Sequence, residues 1–217
     1  MSPDQWSLLL QALWETCYMV MISGLLSFAI GIPLGCLLYI TRTGCINENK
    51  LTNAVIGSIV NAGRSVPFII LMVAIVPFTR LITGSSIGTT AAIVPLTIAA
   101  IPFVARITEG ALNEVPVGLI EAAQSMGANT WQIITRILLP EAIPGLINGM
   151  TITLVTLVSY SAMAGAIGGG GLGDLGIRYG YQRFDAAVML ATVVMLIILV
   201  QLIQMTGDRL QKFYTRR

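Results

Sequence analysis

One stretch of this chain decides its class: residues 16–41 are mostly apolar and carry no charged side chain. A segment of about 20 such residues can cross the hydrocarbon core of a membrane as a helix. Over all 217 residues, 55% are hydrophobic and 10% are charged, with a mean hydropathy of +0.84. Soluble domains carry roughly 25% charged residues. The composition therefore predicts an all-α protein with several membrane-spanning helices.

Five segments qualify as predicted spans. The segment 81–105 lies between two arginines, and the segment 186–207 lies between two aspartates. The uncharged stretch 142–173 ends in a glycine run, which limits that span to 142–166. The predicted spans, all in one transmembrane domain of residues 1–217, are 16–41, 53–80, 81–105, 142–166 and 186–207.

The residues before the first span have the pattern of a helix that lies in the headgroup plane. Apolar side chains recur at helical spacing within residues 5–15, beginning and ending with Trp6 and Trp14. Indole rings favour the membrane–water interface. The sequence therefore predicts an N-terminal interfacial helix, followed by the first span.

Small residues mark one face of the first span. Ser23, Ser27, Gly31 and Gly35 recur at every fourth position. Such a stripe allows the backbone of a neighbouring helix to approach closely. It predicts tight helix packing without identifying the neighbour.

The basic residues predict the orientation. Five spans place the termini on opposite sides. With a cytoplasmic C-terminus, the cytoplasmic segments hold Arg42, Lys50, Arg106, Arg136, Arg209, Lys212, Arg216 and Arg217, and the outer segments hold Arg80, Arg178 and Arg183. Because cytoplasmic loops are enriched in lysine and arginine, we expect Met1 outside and Arg217 inside.

Composition also excludes several functions. The chain has no histidine, which removes imidazole-based metal sites and Ser-His or Cys-His nucleophile pairs. The three cysteines, Cys17, Cys36 and Cys45, lack metal-ligand spacing and are interpreted as free thiols. A net charge of +2 and a pI of about 8.5 give no indication of nucleic-acid binding.

The loop 107–140 is long, and its residues have the spacing of short helices. Pro116 precedes a predicted short helix over 117–126, which Gly127 ends. Thr130 is predicted to cap a second helix that ends at Pro140. The sequence therefore predicts a helix–turn–helix between two spans, on the cytoplasmic side.

The residues of this loop resemble the EAA loop of binding-protein-dependent ABC importer permeases. That motif reads EAA, three residues, G, nine residues, I-x-L-P, and each position is matched by Glu121, Ala122, Ala123, Gly127, Ile137, Leu139 and Pro140. The resemblance implies that the loop is a coupling helix that docks into a cleft on a separate ATP-hydrolysing subunit. Small side chains would keep the docking face slim, and Gly127 would supply a positive φ for the turn. The alternative is an interfacial helix pair without a partner.

Two further segments are similar to the permeases of methionine uptake. They are residues 63–80, which begin Gly-Arg-Ser-Val-Pro-Phe, and residues 160–185, which run from Tyr-Ser-Ala-Met-Ala-Gly-Ala-Ile to Tyr-Gln-Arg-Phe-Asp. The resemblance implies import of methionine across a bacterial inner membrane by alternating access. It also implies a homodimer with the pathway at its interface, two ATPase subunits that bind ATP and Mg²⁺, and a periplasmic or lipid-anchored methionine-binding protein. No cofactor is expected on this chain, and its remaining contacts would be with membrane lipid.

The glycine run 168–171 is not a phosphate loop, because no Gly-Lys-Ser/Thr follows it. We interpret it as a flexible outer turn between the last two spans. A chain without a phosphate loop is not expected to hydrolyse ATP, so a transport function requires an ATPase partner.

Arg64 admits two interpretations. If 53–80 were one straight helix, Arg64 would lie deep in the membrane, where arginines are costly and usually functional. If the helix broke at Gly63, residues 52–62 would lie along the inner interface and Arg64 would reach the headgroups. Pro67 supports a break, because it disfavours helical geometry at Val66.

One face of the fourth span combines polar and thioether side chains: Asn148, Thr156, Ser159 and Met163, flanked by Tyr160. A zwitterionic amino acid with a thioether could pass such a face, which makes Ser159, Tyr160, Met163 and Arg64 candidate pathway residues. The alternative is helix packing, in which hydroxyls bond neighbouring helices or their own i−4 carbonyls.

Three other kinds of membrane protein are alternatives to a methionine permease. An ABC permease for another small solute shares the coupling loop. An ion-coupled secondary transporter would want carboxylates within its spans, and none of the five predicted spans contains one. A structural membrane protein would not explain the loop.

Overall fold

The computed structural model describes residues 3–215, which contain helices and no β-strand. The α-helices are α1 (Pro3–Thr41), α2 (Lys50–Ser65), α3 (Phe68–Ala74), α4 (Val76–Thr83), α5 (Thr89–Asn113), α6 (Val117–Ser125), α7 (Thr130–Ile133), α8 (Leu139–Glu141), α9 (Ile143–Gly165), α10 (Gly171–Leu175) and α11 (Ala186–Thr215). Two π-helical segments are π1 (Ile134–Leu138) and π2 (Gly176–Tyr181). The all-α prediction is confirmed. Met1, Arg216 and Arg217, which the orientation prediction uses, lie outside the described residues.

Four helices in the described part of the chain are long and apolar enough to cross a membrane: α1, α5, α9 and α11. The number rises to five if α2 and α3, which meet at a bend of 102°, are taken as one broken span. The predicted span 142–166 corresponds to α9, and 186–207 lies within α11.

α1 is one continuous helix of 39 residues, about 58 Å long at 1.5 Å per residue. The predicted interfacial helix over 5–15 and the span over 16–41 are joined without a break, which corrects the prediction of two helices. Neither glycine nor proline occurs from residue 4 to residue 23, so nothing local ends the helix. Leu9 is fully buried and packs with Leu172 of α10. This part of α1 is therefore packed against α10.

The segment 53–80, predicted as one span, contains α2, α3 and α4. α2 ends at Ser65, and Val66 has extended backbone with φ −87° and ψ 124°, because Pro67 disfavours helical geometry at the residue before it. The structure therefore has the broken helix of the second interpretation, with the break at Val66 and not at Gly63.

The predicted span 81–105 is displaced towards the C-terminus. α4 continues to Thr83 and ends where Gly84 adopts φ 75°, with its N–H donating to the Arg80 carbonyl at 2.9 Å. The apolar crossing begins only at Thr89 and continues to Asn113. Residues 107–113, predicted as the start of the loop, therefore form the last turns of α5.

α1 packs along α5 through its small residues, as the four-residue stripe predicted. A Cβ on Gly35 would lie 2.5 Å from the Ala105 carbonyl oxygen, so only glycine permits this approach. The Ser27 hydroxyl donates to the Thr97 carbonyl across the same interface, at 3.2 Å. α5 is therefore the helix that packs against the stripe of small residues.

Contacts of α1 define the two ends of the bundle, the Glu15 end and the Arg42 end. At the Glu15 end, a Cβ on Gly170 would lie 2.9 Å from Glu15 Oε2 and 3.0 Å from Thr89 Cγ2. At the Arg42 end, Arg42 Nη1 donates to Asn113 Oδ1 at 2.7 Å. α1 and α5 therefore run antiparallel, and α6 follows α5 at the Arg42 end.

The segment after α9 is folded, which corrects the prediction of a flexible turn. Gly168, Gly170 and Gly171 have φ of 88°, 79° and 76° and make a sharp turn. α10 and π2 follow at once. Since Leu172 is fully buried against α1 and Leu175 is 5% exposed, this segment is part of the packed bundle.

Candidate functional site

α6 and α7 form the helix–turn–helix that the sequence predicted. α6 begins after Pro116 and ends near Gly127, whose φ of 79° confirms the predicted positive value. The turn is closed by backbone bonds, with the Gly127 N–H donating to Gln124 O at 2.9 Å and the Ala128 N–H to Ala123 O at 3.0 Å. A Cβ on Gly127 would meet no atom within 4 Å. A glycine is therefore required at position 127 by its backbone conformation, and not by lack of space for a side chain.

The cap of α7 differs from the prediction by one residue. Asn129, and not Thr130, is the N-cap. Its Oδ1 accepts from the Gln132 N–H at 2.9 Å, and Gln132 Oε1 accepts from the Asn129 N–H at 2.9 Å. This capping box fixes where α7 starts. The missed signal was the Asn129-to-Gln132 spacing.

The second helix does not end at Pro140, which corrects the prediction. π1 absorbs one extra residue, with the Leu139 N–H donating to the Ile134 carbonyl. Pro140 then lies in the first turn of α8, where its missing N–H costs little. Helix continues through Glu141, and α9 begins at Ile143.

The motif residues divide into an exposed group and a packed group. Glu121, Ala122, Gly127 and Pro140 are exposed, Ile137 and Leu139 are half-buried, and Ala123 is buried. Ala123 packs with Ile120, Ile133 and Leu138 in a cluster that includes the end of α1. Ala123 therefore holds α6 against the bundle, and the exposed group offers the most surface to a partner.

Three large apolar side chains that the motif does not contain are exposed on the same unit. Val117, Met126 and Trp131 are 63%, 81% and 72% exposed. Their exposure next to Glu121 gives the unit a mixed apolar and acidic surface, which suits burial against another protein.

A cavity of about 390 Å³ lies between α6 and the loop that follows α1. Glu121, Tyr39 and Cys45 are among its lining residues. Burial raises the pKa of the Cys45 thiol, with Arg42 lowering it in part and Glu48 raising it. A raised pKa makes this thiol a poor nucleophile at neutral pH.

Two of the four predicted pathway residues share a cavity. Ser159 and Met163 line a mainly apolar cavity of about 660 Å³ on one face of α9, together with Ile69 of α3 and Gln201 of α11. Its volume is in the range of small-molecule sites.

The other two pathway candidates lie elsewhere. Tyr160 stacks on Phe68 with a centroid distance of 4.5 Å and an interplanar angle of 2°. The stacked pair belongs to the core, so Tyr160 packs α3 against α9 and does not line the cavity. Arg64 is exposed in the last turn of α2 and is not among the cavity-lining residues.

Arg106, which the sequence analysis used only as a topological charge, joins α5 to α2. Nη1 donates to Glu109 Oε2 at 2.6 Å, and Nη2 donates to Asn61 Oδ1 at 3.0 Å and to Gly57 O at 3.3 Å. These contacts hold α2 at the Arg42 end of the bundle. No periodic sequence pattern reveals the two contacts with α2, because Arg106 lies 45 positions from Asn61 and 49 positions from Gly57.

Residues 31–217 match the family of the inner membrane component of binding-protein-dependent transport systems. The chain belongs to this family, and it is a multi-pass inner-membrane protein of the permease class. The probable D-methionine transport system permease protein of Vibrio cholerae serotype O1 is 64% identical over 94% of this chain and 90% of that protein. The D-methionine transport system permease protein of Escherichia coli K12 is 56% identical over 75% of both chains.

Solved structures agree with this assignment. A chain of the inward-facing MetNI methionine ABC transporter superposes with a TM-score of 0.97 at 54% identity, over 99% of both chains. A chain of an amino acid ABC transporter with histidines superposes with a TM-score of 0.73 at 17% identity, over 100% of both chains. The second match shows a shared fold alone.

Proposed function

We propose that this chain is the permease subunit of an ATP-driven importer that moves methionine across the bacterial inner membrane by alternating access. The observation that carries the proposal is the likeness to the MetNI chain, with 54% identity over 99% of both chains. The cavity supports it, since apolar walls with Met163, Ser159 and Gln201 suit a thioether side chain and a zwitterionic head.

Each proposed partner is assigned to a surface of the chain. A second copy of this chain would cover the open side of the α9 cavity and place the pathway at the homodimer interface. Two ATPase subunits would receive the exposed part of the α6–α7 unit and bind ATP and Mg²⁺, with no cofactor on this chain. A periplasmic or lipid-anchored methionine-binding protein would deliver substrate at the opposite end, and membrane lipid would cover the remaining apolar surface.

The Arg42 end is proposed to be cytoplasmic. It carries Arg42 and Arg106, and Arg209 and Lys212 lie in the C-terminal part of α11. Under the positive-inside rule this end faces the cytoplasm, with the N-terminus outside and the C-terminus inside.

The path of the chain suggests how ATPase motion reaches the cavity. From Thr130 to Gly165, α7, π1, α8 and α9 follow one another with Ala142 as the one non-helical position. Ser159 and Met163 lie on the last of these helices. Closure of the ATPases would displace α6 and α7, and this helical connection would transmit the displacement to the cavity wall.

The experiment that tests this proposal is co-purification in mild detergent. We expect the tagged chain to recover a polypeptide that hydrolyses ATP. Glu121→Lys should reduce that recovery several-fold, because an exposed carboxylate at the proposed contact becomes a cation. Glu141→Lys makes the same charge change at an exposed residue of α8 and serves as the control. Recovery of an intact, folded chain without any ATPase would contradict the proposal.

A further inference from the structure

The start of α10 lies directly on α1. Gly170 and Gly171 have φ of 79° and 76°. A Cβ on Gly171 would lie 2.6 Å from Thr16 Oγ1, and one on Gly170 would lie 2.9 Å from Glu15 Oε2. Both glycines are therefore needed for conformation and for space.

Two side chains of α1 receive the first N–H groups of this segment. Gly171 N donates to Glu15 Oε2 at 2.8 Å, and Leu172 N donates to Thr16 Oγ1 at 2.9 Å. Gln11 Nε2 donates to the other Glu15 oxygen at 3.1 Å. We call the contact of Glu15 and Thr16 with these two N–H groups the clasp.

The other side of α10 packs backbone to backbone on α9. A Cβ on Gly173 would lie 2.4 Å from Ala162, and one on Gly165 would lie 2.3 Å from the Asp174 nitrogen. α10 is therefore a wedge between α1 and α9.

π2 continues from this wedge over the end of the cavity. Ile177 of π2 lines the 660 Å³ cavity together with Met163 and Ala166, at the C-terminal end of α9. The π geometry is seen at the bond from Gln182 N to Ile177 O, at 2.9 Å. Such segments are short, rare and frequently located at functional sites.

We propose that α10 and π2 form the outer gate of the pathway, with Ile177 as its closing side chain and Glu15 and Thr16 as the positioning residues that hold it closed. This inference rests on the proposed function and on the proposed orientation. Release of the clasp frees the α1 side of the wedge, and π2 then moves away from the end of the cavity. α1 thereby sets the closed state of a gate whose residues lie far along the chain.

The test measures access to the cavity from outside. The full complex, with the three native cysteines replaced by alanine, carries Met163→Cys as reporter and is placed in liposomes. A membrane-impermeant maleimide is added outside without ATP. We expect slow modification in this background and about tenfold faster modification with Thr16→Val, which keeps the shape of the side chain but removes the acceptor. Thr16→Ser retains the hydroxyl and should keep modification slow.

Two controls distinguish three cases: a true gate, a contact that only stabilises the fold, and an error in the proposed function or orientation. Phe184→Cys, at a position that is 88% exposed at the same end, should react from outside at one rate in every variant. If Thr16→Val lowers the melting temperature but leaves the Met163→Cys rate unchanged, while ATP binding accelerates it, the gate lies elsewhere and the inference is overturned. If Phe184→Cys reacts only from inside, the orientation fails and the gate fails with it.

Discussion

Replacing Gly127 with valine is expected to uncouple the permease from its ATPase while the spans still insert. Gly127 has a φ of 79°, and holding a β-branched residue in that region costs about 1–3 kcal/mol. The relief of that strain would tilt α6 relative to α7. Each 1.4 kcal/mol corresponds to about tenfold in an equilibrium constant, so we expect ATP-driven uptake to fall by about tenfold or more. The measurement is a pull-down with the ATPase and an uptake assay, both normalised to membrane expression.

Two control substitutions isolate the backbone effect. Gly127→Asn should retain most of the activity, because asparagine tolerates positive φ. Gly118→Val adds the same side chain within α6, where no atom lies within 4 Å of the added Cβ and φ is not positive. Normal binding and transport by Gly127→Val would show that the α6–α7 turn is not the coupling element.

Replacing Ser159 with tryptophan is expected to block transport without disturbing assembly. Ser159 is exposed on α9 and lines the 660 Å³ cavity. An indole there would occupy the space that the substrate needs, and about 1.4 kcal/mol of hindrance already slows a step tenfold. We therefore expect uptake to fall by about tenfold or more, with ATPase recovery unchanged in a pull-down.

The matched control is Ile30→Trp. Ile30 is 51% exposed on α1 and is not among the residues that line this cavity. It should transport normally, because an indole at this position does not enter the cavity. Unimpaired uptake by Ser159→Trp would move Ser159 from the pathway to helix packing.

The sequence predicted most of what depends on local pattern. Long uncharged runs located α9 and α11 and parts of α1 and α5, since the bilayer requires about 20 apolar residues in a row. The glycine at position 127 predicted a turn, and the proline at position 67 supported the broken helix in one of the two interpretations of Arg64. Both act through the conformation of their own or the adjacent residue.

What depends on tertiary contact could not be predicted. Ala123 belongs to the motif, yet it is buried, because the chain following α6 folds back over it. The junction at Glu15 looked like a boundary between two helices, since a charge there ends the apolar run. Its carboxylate instead accepts a bond from Gly171, 156 residues away. Nothing in a local window signals such a pairing, and for the same reason α10 and π2 resembled a flexible turn.

The most direct test of the central claim is uptake of labelled methionine by liposomes that contain the purified chain alone, its ATPase alone, or both with the binding protein. We expect methionine to accumulate when the chain, the ATPase and the binding protein are all present with ATP inside the liposomes. We expect no accumulation from the chain alone or the ATPase alone, whatever proton or sodium gradient is imposed. Methionine accumulation by the chain alone under an ion gradient, without ATP or a partner, would contradict the account and indicate a secondary transporter.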